Sequence, residues 1–188
     1  FRKRLNTAGQ PFILGDVVNA NPVLIKSNFD GAYTDPLFGG LPAAPTSYTT
    51  FKAAKAARTA VLFAGSNDGM LHAFQDSLGS SASTDGREIF AYVPRAVYAN
   101  LGQLADKNYG TTSLLQHQYF VDGPLHEADA YVKAPGAGSP SWRNYLFGTL
   151  GAGGRAVFAL DVTNSTSMNA SSVRWELSSV EDEDIGYV

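Results

Sequence analysis

Cysteine is absent from the 188-residue chain, which excludes a disulfide scaffold, thiolate-bound zinc and thiol catalysis. That absence leaves the compartment open, because exported proteins also dispense with cysteine. Charge is scarce too, at 16% of residues with a net charge of −3. The only basic run is Arg2-Lys3-Arg4, which reads as a solvated end, so the composition speaks against a nucleic-acid partner. No stretch approaches the ~20 apolar residues of a membrane span, and neither a signal peptide nor an initiator Met is visible. The chain starts at Phe1 and stops at Val188 just after Gly186-Tyr187, and reads as a piece of a longer protein. What is plentiful is apolar character (44%), with 19 glycines and 9 prolines, the composition of a turn-rich all-β protein.

Two stretches follow one plan. The first runs Val61-Leu62-Phe63-Ala64-Gly65, a turn at Asn67-Asp68-Gly69, Leu71-His72-Ala73-Phe74, then Glu88-Ile89-Phe90-Ala91-Tyr92. The second runs Tyr145-Leu146-Phe147-Gly148, a turn at Gly151-Ala152-Gly153-Gly154, Val157-Phe158-Ala159-Leu160-Asp161, then Val173-Arg174-Trp175-Glu176-Leu177. The offset is 84 residues at Phe63/Phe147 and 86 at Phe74/Leu160, so the second turn is two residues longer. Self-similarity at such a period indicates stacked antiparallel sheets, and four strand candidates per unit is the count of a propeller blade.

The intervening sequence fits that plan. Residues 12–25 read as a strand entered through Gly15-Asp16, and Pro22 confines it to an edge or a bulge. Residues 27–50 form a surface excursion, and alanine-rich Lys52 to Arg58 predicts about two helical turns, marginal in isolation. Spacing over 95–108 predicts a short helix across one rim. Tyr119 to Gly123 and Ala128 to Val132 open the second unit as strands. The whole reads as one incomplete domain over 1–188, with blade-like units at about 12–94 and 117–178 and insert loops at about 27–58 and 95–116. Phe63, Phe74, Phe90, Tyr92, Phe147, Phe158 and Trp175 are expected to fill the space between adjacent blades.

Several motifs, in order, resemble the C-terminal propeller of the PilC/PilY family. They are Gly15-Asp16-Val17-Val18-Asn19-Ala20-Asn21-Pro22, Gly65 through Phe74, Phe90-Ala91-Tyr92-Val93-Pro94, Val121-Asp122-Gly123, Trp142-Arg143, and Gly151 through Thr163. The resemblance covers about Leu14 to Tyr187. It implies an all-β, quinoprotein-like propeller of four-stranded blades, about three of seven being present here, with short helices in long inserted loops. It further implies a non-enzymatic module of a type IV pilus assembly and adhesion protein, exported to the pilus tip, outer membrane or surface of a Gram-negative bacterium. Expected roles are pilus extension and retraction, twitching motility and attachment. Expected partners are pilins or minor pilins, the rest of the parent protein and a host surface. Calcium is implied for the parent protein only, since no Asp-x-[Asp/Asn]-x-[Asp/Asn]-Gly pattern occurs in this sequence.

Candidate chemistry is thin. Asn67, Asp68 and Gly69 suit a tight hairpin turn as they stand, without a ligand role for Asp68. His72 lies on the strand that follows and reads as a packed or hydrogen-bonded histidine. His117, Asp122, His126, Glu127 and Asp129 are the densest group of potential ligands, yet their spacing matches no zinc motif. Gly151, Gly153 and Gly154 with Arg155 invite a phosphate-loop reading, but a strand follows where a helix is needed. Asp161 is placed to cap the turn after its strand. In the acidic run Glu181 to Asp184, Asp182 and Asp184 are the candidate cation ligands, against the plainer reading of a solvated connection. Asn164-Ser165-Thr166 and Asn169-Ala170-Ser171 fit the glycosylation pattern without further support. No nucleophile, base and orienting group converge in the sequence. The alternatives are a fragment of a pyrroloquinoline-quinone-dependent dehydrogenase-type propeller, or an outer-membrane assembly scaffold with shorter repeats.

Overall fold

The computed structural model describes residues 14–33, 47–77 and 85–187. They form two four-stranded antiparallel sheets, one helix and several 3₁₀ turns. The first sheet has the order β1-β2-β3-β4, with β1 at Val23–Ile25, β2 at Ala60–Gly65, β3 at Leu71–Asp76 and β4 at Glu88–Tyr92. The second has the order β5-β6-β7-β8, with β5 at Leu125–Val132, β6 at Ser141–Thr149, β7 at Ala156–Asp161 and β8 at Val173–Ser178. Each sheet is an antiparallel meander in chain order, with tight turns only at β2–β3 and β6–β7 and helix α1 inside the connection from β1 to β2.

The repeat holds at the level of register. Phe63 pairs with Ala73 and Phe147 with Ala159, and both sheets break register at one place, between Ala73 and Phe74 and between Ala159 and Leu160. A bulge there lets the fourth strand of each sheet twist against the third. Alternation then assigns faces. Val61, Phe63, Leu71 and Ala73 of the first sheet share one buried cluster with Leu146, Ala156, Phe158 and Leu160 of the second. The core is therefore the seam between the sheets, and Tyr92 meets Phe158 edge-on across it, ring centroids 5.2 Å apart.

Several sequence expectations shift. The strand expected over 12–25 is confined to Val23–Ile25, directly after Pro22 and at the sheet edge. Residues 14–22 lie outside the ladder because side chains claim their polar groups: Gly15 N donates to Asp68, and Asn19 N to Asp122. Residues 12 and 13, and most of the loop at 76–87, lie outside the described residues.

Residues 119–123 are not a strand either. They cross the turn rim, Phe120 N donating to the Asn67 side chain and Val121 N to the Ser66 carbonyl. The helix α1 is longer than expected and begins earlier, at Tyr48–Ala57, because Ser47 caps it through the Thr50 amide. The rim helix expected over 95–108 is two 3₁₀ turns, Arg95–Val97 and Leu101–Ala105. Of the aromatics expected between adjacent blades, Phe63 and Phe158 are buried between these two sheets, and Trp175 lies 46% exposed on the outward face of the second sheet. Phe147 lies beside it, 6.1 Å between ring centroids. Their strand parity turns both away from the first sheet.

Candidate functional site

Three polar assemblies line the seam, and the sequence-predicted residues divide among them. At the turn rim, the β2–β3 hairpin turn supplies Asn67, Asp68 and Gly69. Asn67 is buried and donates to Asp16 at 3.0 Å and to Asp122 at 3.5 Å, while its carbonyl accepts from Phe120 N. Asp122, also buried, accepts both the backbone and the side chain of Asn19, at 3.1 and 2.5 Å. Asp68 accepts from Met70 N, the short-range bond typical of Asp in a turn, and from Gly15 N. Gly69 has φ 95°, a conformation that favours glycine. This amide-and-carboxylate lattice ties residues 15–19, the hairpin and residues 120–122 into one piece.

His72 extends that lattice. Its Nδ1 lies 2.5 Å from Glu88 and its Nε2 3.1 Å from Asp68. Two carboxylate acceptors on one ring call for two N–H donors, hence the imidazolium. Burial alone would lower the His72 pKa, but the bonds to Asp68 and Glu88 prevail and raise it. Burial likewise pushes the Asp68 carboxyl up, and the His72 and backbone bonds overcome it, so its pKa falls below the ordinary value.

At the opposite end of the seam, α1 docks on β5 and β6 through buried ions. Lys55, 2% exposed, donates to Asp129 at 2.6 Å and to the Phe29 carbonyl at 2.9 Å. Tyr48 Oη also donates to Asp129, at 2.8 Å. Arg58 donates to Asn144 at 2.6 Å and to the carbonyls of Lys26 and Val162. Asn144, fully buried, donates in turn to Glu127 and Asp129. Burial raises the Glu127 carboxyl and lowers the Arg58 guanidinium. Two cations face two anions, so the cluster is neutral and densely bonded. Tyr33, Tyr48 and Phe51 pack around Trp142 beside it.

The third assembly is the Glu176 carboxylate on β8, which accepts from Tyr92 Oη and from the amides of Arg95 and Ala96 at the start of a 3₁₀ turn.

The remaining sequence candidates disperse. His117 meets Asp16 on the surface, Asp122 stays at the turn rim, His126 is exposed, and Glu127 and Asp129 serve the buried ion cluster. Among the described residues no group of three or more His, Cys, Asp and Glu is placed to hold a metal. Asp182 accepts from Asp184 N in an exposed turn. Gly151, Gly153 and Gly154 form the β6–β7 turn, where Gly151 has φ 53° and a Cβ on Gly153 would collide with the Phe120 backbone. Asp161 Oδ1 accepts from Thr163 N, and Oδ2 faces Arg143 and Arg174.

Sequence reasoning missed Lys55, Arg58, Asn144 and Glu176. The one available signal was Lys55 and Arg58 on an alanine-rich helix, three residues apart and therefore near one face.

The model of the PilY1 beta-propeller domain matches residues 14–186. A type IV pilus biogenesis factor PilY1 homolog of Xylella fastidiosa (strain Temecula1) is 42% identical over 179 residues, covering 93% of this chain and 10% of the relative. The type IV pilus biogenesis factor PilY1 of Pseudomonas aeruginosa strain PAO1 is 34% identical over 177 residues, covering 93% of this chain and 13% of the relative. The crystal structure of the Pseudomonas aeruginosa PilY1 C-terminal domain is similar at 34% identity over 74% of this chain and 23% of that one, with a TM-score of 0.49. This chain thus spans about a tenth of the length of the curated relatives it matches.

Proposed function

The chain belongs to the PilY1 β-propeller domain family, and from that premise we propose that it is a non-catalytic interaction module of a type IV pilus biogenesis protein. Its relatives are named for that role. The observation that carries the reading is where the polar groups go. Asn67, Asp68, His72, Asp122, Lys55, Asp129 and Glu176 all bond to other parts of the fold. A module whose buried polar groups fasten sheets together offers a rigid platform, and binding then falls to the loops it displays. Export to the bacterial surface, contact with pilins or minor pilins, and roles in twitching and attachment belong to this same reading.

Calcium in the parent protein is also part of the proposal, with its ligands outside this chain.

The test is replacement of this segment in the parent gene by a variant with Lys55→Met and Glu176→Ala, in the organism that carries it. The expected result is loss of surface pili and of twitching with the protein still exported. Normal piliation by a variant shown to be unfolded in this segment would overturn the reading.

A further inference from the structure

The rows across the two sheets correspond position by position. Phe63, Ala73 and Phe90 form one row of the first sheet, and Phe147, Ala159 and Trp175 form its counterpart in the second. The first row lies against the second sheet, in the common core. The second row faces outward, with Trp175 46% and Leu177 38% exposed. The internal repeat therefore indicates what fits there: the inward face of another four-stranded sheet, just as the second sheet fits the first.

Three charged residues break the correspondence. Where the first unit carries the uncharged Thr59 (just ahead of β2), Gln75 and Ile89, the same offsets in the second place Arg143, Asp161 and Arg174. Arg174 lies 2.6 Å and Arg143 3.5 Å from a single oxygen, Asp161 Oδ2. The other oxygen of Asp161 is occupied by Thr163 N. Two guanidiniums thus share half of one carboxylate, and Arg174 Nε has no acceptor among the described residues. Both arginines keep part of their side chains in solvent, 22% and 29%. Covering this face with a sheet would strip that solvent from an uncompensated positive charge beside Tyr145, Phe147 and Trp175, an unfavourable desolvation unless an anion arrives with the cover. A planar guanidinium pair suits a carboxylate.

We propose that Arg143 and Arg174 form a receptor for one Asp or Glu side chain carried by a further sheet of the same polypeptide, which packs on the outward face of the second sheet. The relatives extend far beyond the matched stretch, which leaves ample chain for such a sheet. This inference rests on the internal repeat and on charge, and it stands or falls independently of the pilus role.

The experiment uses the full-length protein with Arg174→Lys and Asp161→Asn together, treated with a water-soluble carbodiimide, which joins an amine to a carboxylate only in direct contact. Peptide mapping is expected to find Lys at position 174 joined to an Asp or Glu of the same polypeptide outside these 188 residues, a product absent from the protein that retains Arg174. A link to another molecule, a link only to carboxylates within the 188 residues, or no link in the folded variant would each overturn the proposal. Should that variant fail to fold, Arg143→Lys in the otherwise unaltered protein takes its place with the same readout.

Discussion

Tyr92 on β4 donates its hydroxyl to Glu176 on β8 at 2.6 Å, one of three bonds that the carboxylate accepts across the seam. Burial first, and then this bond to an anion, pushes the Tyr92 phenol well above its ordinary pKa, so it remains a donor throughout the accessible pH range. Glu176→Ala should cost about 1.5–3 kcal/mol, the value of hydrogen bonds to a charged group. Tyr92→Phe should cost about 1 kcal/mol. Denaturant unfolding of the parent protein, with tryptophan fluorescence as the probe, checks both, and equal losses in the two variants would contradict a three-donor clasp.

Lys55 should be the most sensitive polar position in the chain. Lys55→Ala leaves Asp129 buried with Tyr48 and Asn144 as its remaining donors, and removing one partner of a buried pair costs about 3–5 kcal/mol. Adding Asp129→Leu should recover part of that loss. A double-mutant cycle by chemical denaturation measures the coupling; additive losses would refute it.

His72 makes stability depend on pH with a definite sign. Its folded pKa is raised above the ordinary 6.5, so its contribution is fully present below that value and fades as pH climbs through the folded pKa. Asp68, whose folded pKa is lowered from 3.8, contributes above that value and loses its contribution as pH falls through the lower one. The His72 contribution to melting temperature should therefore decline as pH rises above 6.5, and His72→Gln should flatten that decline. A decline unchanged in the variant would exclude His72 as its source.

Gly65 tests how closely the seam is packed. A Cβ there would come within 2.5 Å of the Val121 carbonyl, so Gly65→Ala should cost about 1–3 kcal/mol from overpacking. Gly138→Ala, where a Cβ meets nothing within 4 Å, is the control and should leave stability nearly unchanged. Thermal melts of the two variants side by side decide the point.

Produced alone, the 188-residue chain should bind an apolar dye and self-associate, because Trp175, Leu177 and Val180 stand 46%, 38% and 89% exposed. Trp175→Ser with Leu177→Ser should lower the dye signal. A monodisperse monomer that ignores the dye would contradict this expectation.

The strand pairs were legible in the sequence because their signals are local. The continuous apolar runs at Val61 to Gly65 and Val157 to Leu160, and the turn chemistry of Asn67-Asp68-Gly69, act within a few residues. Which face carries Phe147 and Trp175 was not legible, because alternation gives two faces without saying which one meets the first sheet. Residues 14–22 and 119–123 look like strands by composition, yet Asp68, Asp122 and Asn67, distant in sequence, capture their backbone. The ion cluster was invisible for the same reason: Lys55 and Asp129 are 74 residues apart. Nothing near Lys55 in the chain announces a buried partner.

That separation has a bearing on how the protein is made. Helix α1 has ten residues, too few to be stable alone in water, and its anchor is supplied by strands synthesised later. During synthesis the helix and its lysine therefore wait, solvated and unanchored, until β5 and β6 have emerged. In that interval the first sheet lacks the partner that covers Phe63, and the nascent chain is open to capture or proteolysis. Docking of Lys55 on Asp129 then closes a span of 74 residues, so the first sheet and the helix become resistant together, and only once the second sheet exists.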